Sequence, residues 1–299
     1  ASRLHREGRR FEPVSAHQHW PLGEGLMFAD QVFWITGASS GIGAAFARQL
    51  AKQSAFVILS GRNVDALNEV AAQCGTDRTL VLPFETTDYD ALPALVETAW
   101  NWRGHIDGLI NNAGISQRSL AIETHFPVYQ KVVDVDLLAP IALTQLVLPR
   151  MVARKSGRLV FISSVAGKVG SPMRTAYSAA KHGLVGYADA LRVETAALGL
   201  QVHVITPGSI KTDVSRNAIV ADGTRRGISD PAIEKGLDPD HAVKLMLKAM
   251  ARGDREILIA RGVERTISRL RRLSPNKLFD MMEQMMGAGY AERMKSGDS

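Results

Sequence analysis

The sequence predicts a three-layer, doubly wound α/β fold: a parallel seven-stranded sheet with helices on both faces. Three observations carry that expectation. Short apolar runs of strand length alternate with longer segments of helical spacing, the pattern of repeated strand-helix-strand units. The first apolar run leads through a glycine-rich turn, Thr36-Gly-Ala-Ser-Ser-Gly-Ile-Gly43, directly into a helix. The length of 299 residues, with 45% hydrophobic and 22% charged, suits one large α/β core.

Taken in order, residues 31–36 (QVFWIT) form the first buried strand. The turn that follows reads T-G-x-x-x-G-x-G. Its glycines let the backbone bend tightly and approach a pyrophosphate, and the helix behind it offers free amides and a positive dipole end. Gly37, Ser39, Ser40, Gly41, Ile42 and Gly43 are therefore assigned to a dinucleotide. The second strand, residues 55–60, ends in Gly61-Arg62-Asn63. A dinucleotide fold places its ribose selector here, about 20 residues beyond the turn. A carboxylate would bond the 2′-hydroxyl of NAD. An arginine suits a 2′-phosphate, and no carboxylate stands in this segment to repel one. The reading is NADP(H), with Arg62 as main anchor and Ser40 and Asn63 as lesser contacts.

The third strand is expected at residues 79–84. Glu85 and Thr86 follow at its carboxyl end and are counted with the cofactor site, and Asp88 is placed as the cap of a helix starting near Tyr89. The fourth strand, residues 106–110, leads into Asn111-Asn112-Ala113-Gly114. Ligands of open parallel sheets lie at the carboxyl ends of the strands, where small residues admit a close approach. The same four residues can equally form a plain turn. The fifth strand, residues 157–162, delivers Ser163-Ser164. Tyr177 and Lys181 then lie four apart on one helical face, which sets an ammonium beside a phenol and favours the phenolate. The sixth strand, residues 200–205, ends in Thr206-Pro207-Gly208-Ser209-Ile210-Lys211-Thr212. A seventh is expected at 256–260.

In their joint order, Thr36-Gly37-x-x-x-Gly41-x-Gly43, Asn111-Asn112-Ala113-Gly114, Ser164, Tyr177-x-x-x-Lys181 and Pro207-Gly208 make residues 30–260 resemble the short-chain dehydrogenase/reductase family in its compact one-domain form. The resemblance implies a Rossmann-fold catalytic domain that transfers hydride between a nicotinamide and an alcohol or carbonyl carbon, with no metal. The family's serine lies thirteen residues before its tyrosine, which selects Ser164 over Ser163. Its hydroxyl would hold the substrate oxygen, Tyr177 would give or take the proton, and Lys181 would hold the nicotinamide ribose as well as favour the phenolate. Asn112, Ala113, Gly114, Pro207 and Gly208 would border the cofactor. Ile210 backbone groups would meet the carboxamide, with Thr212 near it or the pyrophosphate. Residues 213–237 fall where the family puts a mobile substrate lid. Family members often pair into dimers or tetramers.

One position departs from the family pattern. The fourth catalytic member is usually asparagine and is thought to act through its backbone carbonyl, which holds a water that relays protons to the lysine. Here it is Asp136. A backbone role survives the change, but a carboxylate near Lys181 opposes the lysine's effect on the phenol. Asp136 is therefore expected either to be held protonated or to move the pH optimum upward. An aspartate satisfied by local amides, without kinetic consequence, stands as the alternative.

The ends of the chain read differently. Residues 1–29 form a basic extension carrying Arg3, His5, Arg6, Arg9 and Arg10, and Met27 stands as a candidate natural start. The formal charge of +6 gathers at the two ends, not in a central groove. Basic residues without repeated aromatic interleaving argue against nucleic acid. The histidines lack metal-ligand spacing, and the single cysteine, Cys74, excludes an intrachain disulfide and fits a cytoplasmic setting. No uninterrupted apolar run of membrane-spanning length occurs. Residues 238–251 read as a helix, with Pro239 at its first position. Residues 261–299 form an amphipathic helical extension. Residues 261–286 can lie on an anionic membrane surface, but packing beside the substrate entrance or against a second subunit is favoured, because amphipathic spacing most often means core. The reading is thus an NADP(H)-dependent oxidoreductase acting on a carbonyl or alcohol, with the apolar content of the lid and tail pointing to a lipophilic one. The alternatives are an NAD-dependent alcohol dehydrogenase of the same fold and a non-catalytic NADP-binding protein.

Overall fold

The computed structural model describes residues 26–296. Of the extension expected at 1–29 only the last four residues fall within that range, and Phe28 is already core, fully buried edge-on against Phe33 at 5.4 Å. Seven parallel strands form one sheet: β1 (Val32–Thr36), β2 (Phe56–Ser60), β3 (Thr79–Val81), β4 (Gly108–Asn111), β5 (Gly157–Ile162), β6 (Leu200–Pro207) and β7 (Glu256–Ile259). Their spatial order is β3-β2-β1-β4-β5-β6-β7. The chain reverses its direction of growth between β1 and β4, which opens a crevice at their carboxyl ends. β3 is only three residues long, shorter than expected. Past Val81 the chain keeps two bonds to the β2 side, from the Leu82 amide to the Leu59 carbonyl and from the Phe84 amide to the Gly61 carbonyl, and Pro83 falls at an edge position that faces away from β2.

Strands buried on both sides require an apolar layer on each face. One face carries α1 (Gly41–Ala51), α2 (Val64–Cys74) and α8 (Pro239–Ala251), whose Phe46, Leu50, Met246 and Met250 meet Phe33, Ile35 and Leu59. The other carries α3 (Leu92–Asn101), α5 (Ala139–Arg154) and α6 (Thr175–Thr195), whose Val96, Val147 and Leu184 meet Trp34, Leu109 and Phe161. Each fully buried side chain of this size stabilises the fold by about 1.5–3 kcal/mol. The predicted start of α8 is observed, with Asp238 accepting a hydrogen bond from the His241 amide at 2.8 Å. The helix placed near Tyr89 begins at Leu92 instead, and Asp88 caps only the turn before it, through the Ala91 amide.

α4 (Phe126–Val133) continues through a wide five-residue turn, Asp134–Leu138, into α5. This continuous stretch is apolar and long enough, by composition, to cross a membrane. Isolated polar residues, among them Lys131, Asp134 and Asp136, interrupt its apolar run in the sequence. In the fold its inner face packs on the sheet, with Leu143, Val147 and Met151 in the core.

The glycine turn at the crevice is sterically closed. Gly37 and Gly41 have φ of +66° and +54°, values that suit glycine. At Gly43 a Cβ would lie 2.2 Å from the Gly37 carbonyl oxygen and 2.6 Å from Asn112 Nδ2. Gly43→Ala is expected to lower unfolding stability by about 2 kcal/mol. Gly186→Ala, on the exposed side of α6 with nothing within 4 Å, should be neutral or stabilising by up to about 1 kcal/mol. Urea unfolding of both variants checks this, and a Gly43→Ala protein as stable as the natural one would contradict the close packing.

Candidate active site

Tyr177 and Lys181 occupy the first turns of α6. Tyr177 is half-buried and Lys181 buried, with the ammonium 5.7 Å from the centre of the phenol ring. Lys181 Nζ donates to the Ile162 carbonyl at 3.1 Å, which ties the helix to the end of β5. The two serines delivered by β5 separate clearly. Ser163 is buried and its hydroxyl donates to the Lys181 carbonyl at 3.1 Å. Ser164 is half-exposed, and its oxygen accepts from the Ala166 amide at 3.1 Å. That leaves the Ser164 hydroxyl hydrogen available to a ligand.

Asp136 lies in the wide turn between α4 and α5 and is fully buried. Its Oδ1 accepts from the Ile115 amide at 2.7 Å, and its Oδ2 stands 3.2 Å from Lys181 Nζ. A Cβ on Gly114 would come within 3.2 Å of the same carboxylate, so the turn after β4 must carry a small residue. Burial pushes the Asp136 carboxyl above its ordinary range, against the pull of Lys181 and the Ile115 amide. Burial alone would lower Lys181. The Asp136 carboxylate and Tyr177 outweigh it, and the ammonium is held above the ordinary lysine range. Asp136 thus engages the lysine through its side chain, where the resemblance assigned a backbone role.

On the dinucleotide side, Thr36 Oγ1 accepts from the Asn112 and Ala113 amides, both at 3.0 Å. Asn112 Nδ2 donates to the Thr36 and Gly37 carbonyls at 2.9 and 3.2 Å. The Asn112 side chain therefore clamps the glycine turn to the end of β4. Ser40 caps α1 without a side-chain bond, and no acidic residue stands in the first turn, so the helix N-terminus keeps its amides and positive potential for an anion. Thr212 packs against Gly41, with its methyl 3.0 Å from where a Cβ would stand.

The ribose end differs from the sequence reading in one respect. No carboxylate neighbours Arg62 in sequence, yet Glu85 Oε2 lies 3.3 Å from its guanidinium across the gap between β2 and β3. Thr86 Oγ1 is 3.3 Å from the other oxygen of Glu85. Asn63, assigned as a lesser cofactor contact, spends its Oδ1 capping α2 through the Ala66 amide at 3.1 Å.

At the end of β6, Pro207 and Gly208 lead to the buried Ile210, which bridges to Leu237. Glu264, at the start of α9 (Gly262–Leu273), accepts from the Ser209 amide and hydroxyl at 2.9 and 2.6 Å. Residues 213–237 are tightly seated. Ile219 exchanges backbone hydrogen bonds with Ser116 and Arg118 at 2.8 and 2.9 Å. α10 (Pro275–Gly287) lays Phe279, Met282 and Met286 against Gly170 and Pro172, around an opening of about 300 Å³. Within α10, Leu278 is fully buried, whereas α9 has no buried residue.

A family model described as short chain dehydrogenase matches residues 31–221. The chain belongs to the short-chain dehydrogenase/reductase family. It is 38% identical over 261 residues to dehydrogenase/reductase SDR family member 7B of Danio rerio, covering 85% of this chain and 84% of the relative. A short-chain dehydrogenase/reductase from Burkholderia phymatum, solved with NAD, superposes with a TM-score of 0.75 at 22% identity, over 84% of this chain and 95% of its own. One from Sphingobium yanoikuyae, solved with NADPH, gives 0.68 at 25% identity, over 76% and 87%. The predicted family and the doubly wound Rossmann fold are both borne out, and the family is one of oxidoreductases.

Several contributors were not visible in sequence: the Thr36 hydroxyl, the Glu264 carboxylate and a buried arginine cluster around Asp230. Apart from Arg226, four residues before Asp230, each acts on a residue far away in the chain, and no local spacing marks it. Lys181→Met should leave Asp136 buried without its counter-charge and cost about 3 kcal/mol. Adding Asp136→Asn should restore part of that loss. Urea unfolding of the single and double variants checks the coupling, and strictly additive effects would contradict it.

Proposed function

We propose that this chain is an NADP(H)-dependent oxidoreductase that interconverts a carbonyl compound and a primary or secondary alcohol by hydride transfer, with Tyr177 as acid/base. The observation that carries this reading is the half-exposed Tyr177 phenol backed by the buried, ion-paired Lys181, with the free hydroxyl hydrogen of Ser164 at the end of β5. A non-catalytic binding protein has no use for a buried charge held against a phenol. Ser164 would donate to the substrate oxygen and fix its orientation. Tyr177 would protonate that oxygen in reduction and deprotonate the alcohol in oxidation. Lys181 stabilises the phenolate and offers its remaining hydrogen to a ribose hydroxyl. A bound nicotinamide dinucleotide would supply or accept the hydride.

The residues fit that group. The turn that a Cβ at Gly43 would fill, the uncapped N-terminus of α1, Thr212 beside Gly41 and the backbone around Gly208 and Ile210 form a continuous crevice edge. Arg62, largely exposed, is placed to take a 2′-phosphate, and its pairing with Glu85 would orient it. The same Glu85 favours a second reading, NAD, because a carboxylate here can accept from a ribose 2′-hydroxyl. The Met-lined opening between Pro172 and α10 supports a lipophilic substrate. Exposed Phe126 and Leu138 on the α4–α5 stretch support burial against a second copy in a homodimer or homotetramer. A cytoplasmic location fits Cys74, whose thiol burial pushes up to about 11 and so keeps un-ionised.

A panel of ketones and aldehydes scored by NADPH oxidation tests the activity. With one turned-over substrate in hand, Arg62→Ala should raise the KM for NADPH at least about tenfold and leave that for NADH nearly unchanged. An unaltered NADPH/NADH ratio would refute the cofactor choice and favour NAD.

A further inference from the structure

Asp230 caps the short helix α7 (Pro231–Glu234) within residues 213–237 and is 2% exposed. Its carboxylate receives guanidiniums from three separate segments. Arg118, beyond β4, donates Nε and Nη2 to Oδ2 at 3.0 and 2.6 Å. Arg174, in the turn before α6, donates Nη2 to the same oxygen at 3.2 Å. Arg226, from the lid itself, donates to Oδ1 and, with its other terminal nitrogen, to the Met294 carbonyl in α11 (Tyr290–Ser296). The Asp230 amide adds a bond to Ser215 Oγ at 3.0 Å.

Three guanidiniums thus share one carboxylate, and the Arg118 and Arg226 side chains are at most 5% exposed. Burial, and then Arg174, hold the Arg118 guanidinium down at about 10, and Asp230 opposes that shift. Without Asp230 the buried Arg118 and Arg226 guanidiniums and the partly exposed Arg174 would face one another uncompensated, a force for separating the segments that carry them. Those segments border the reacting groups. Arg174 is three residues before Tyr177, Arg118 is three after Ile115, whose amide holds Asp136, and Gln117 Oε1 accepts from the Ala176 amide at 3.0 Å.

We propose that Asp230 is a positioning residue: it latches the lid and the C-terminal helix onto the active-site rim and fixes the start of the catalytic helix. The part concerning turnover rests on Tyr177 acting as proposed above. The latch itself does not.

The test joins a readout that needs no activity to one that does. In limited trypsin digestion followed by mass spectrometry, Asp230→Asn should be cut after the exposed Arg216 and Arg225 at least tenfold faster than the natural protein, with cleavage after Arg265 in α9 unchanged. NADPH affinity should stay within twofold, while the KM for the carbonyl substrate rises about tenfold and kcat changes less. General destabilisation would instead accelerate every cut and weaken NADPH together. If Asp230→Asn gives no soluble protein, Arg226→Gln keeps the Arg118 pair and carries the same comparison. Lid cleavage at the natural rate overturns the latch, and so does an unchanged substrate KM beside an unchanged cleavage rate. A natural protein that reduces no carbonyl compound would count against the proposed activity, and the digestion would still decide the latch.

Discussion

The Lys181 ammonium is held in a place from which the fold has excluded water, and much of the site's geometry answers to that charge. A buried cation needs a counter-charge and hydrogen-bond acceptors. Asp136 provides the first at 3.2 Å, and the Ile162 carbonyl the second at 3.1 Å. Meeting that need joins three parts of the chain: the first turns of α6, the end of β5, and the wide turn that breaks the α4–α5 helix. The turn is what brings Asp136 inward. It also reaches the strand ends, because the same carboxylate accepts from the Ile115 amide just beyond β4. One charge thus ties the start of α6 to the loop that follows β4.

The cofactor side is built on a different principle, close packing without charge. Four hydrogen bonds, from the Asn112 amide and side chain and the Ala113 amide to Thr36 and Gly37, lock the glycine turn against the end of β4. Gly43 lies so near the Gly37 carbonyl that no side chain fits. The uncapped start of α1 leaves a region of positive potential along that edge. The two halves of the crevice meet at the sheet's switch point. One half offers the free amides of a helix N-terminus, and the other a half-buried phenol beside a buried ion pair.

The sheet, its helical layers and the helix of residues 239–251 were legible in the sequence because each rests on local period and local capping. The glycine turn followed from its place between strand and helix, whereas Ser164, Tyr177 and Lys181 were named as a set only through the joint order of motifs that resembles the family. What could not be read was the identity of partners across the fold. Nothing around Arg62 shows that Glu85 lies 3.3 Å away, because the two follow the ends of neighbouring strands. Nothing around Asp230 marks a carboxylate shared by three arginines, and residues 213–237, with their mixed polarity, gave no sign of being tightly held. Asp136 lay between these cases. Its unusual identity was plain, but its direct contact with Lys181 depends on a helical irregularity that sequence period does not reveal.

The central claim is that Asp136 sets how much of the Lys181 charge the Tyr177 phenol feels. The pH dependence of kcat/KM, measured for the natural protein and for Asp136→Asn with the same carbonyl substrate and saturating NADPH, addresses it directly. The Asp136→Asn profile should be displaced to lower pH relative to that of the natural protein. Superimposable profiles would contradict the account and reduce Asp136 to a structural residue of the turn.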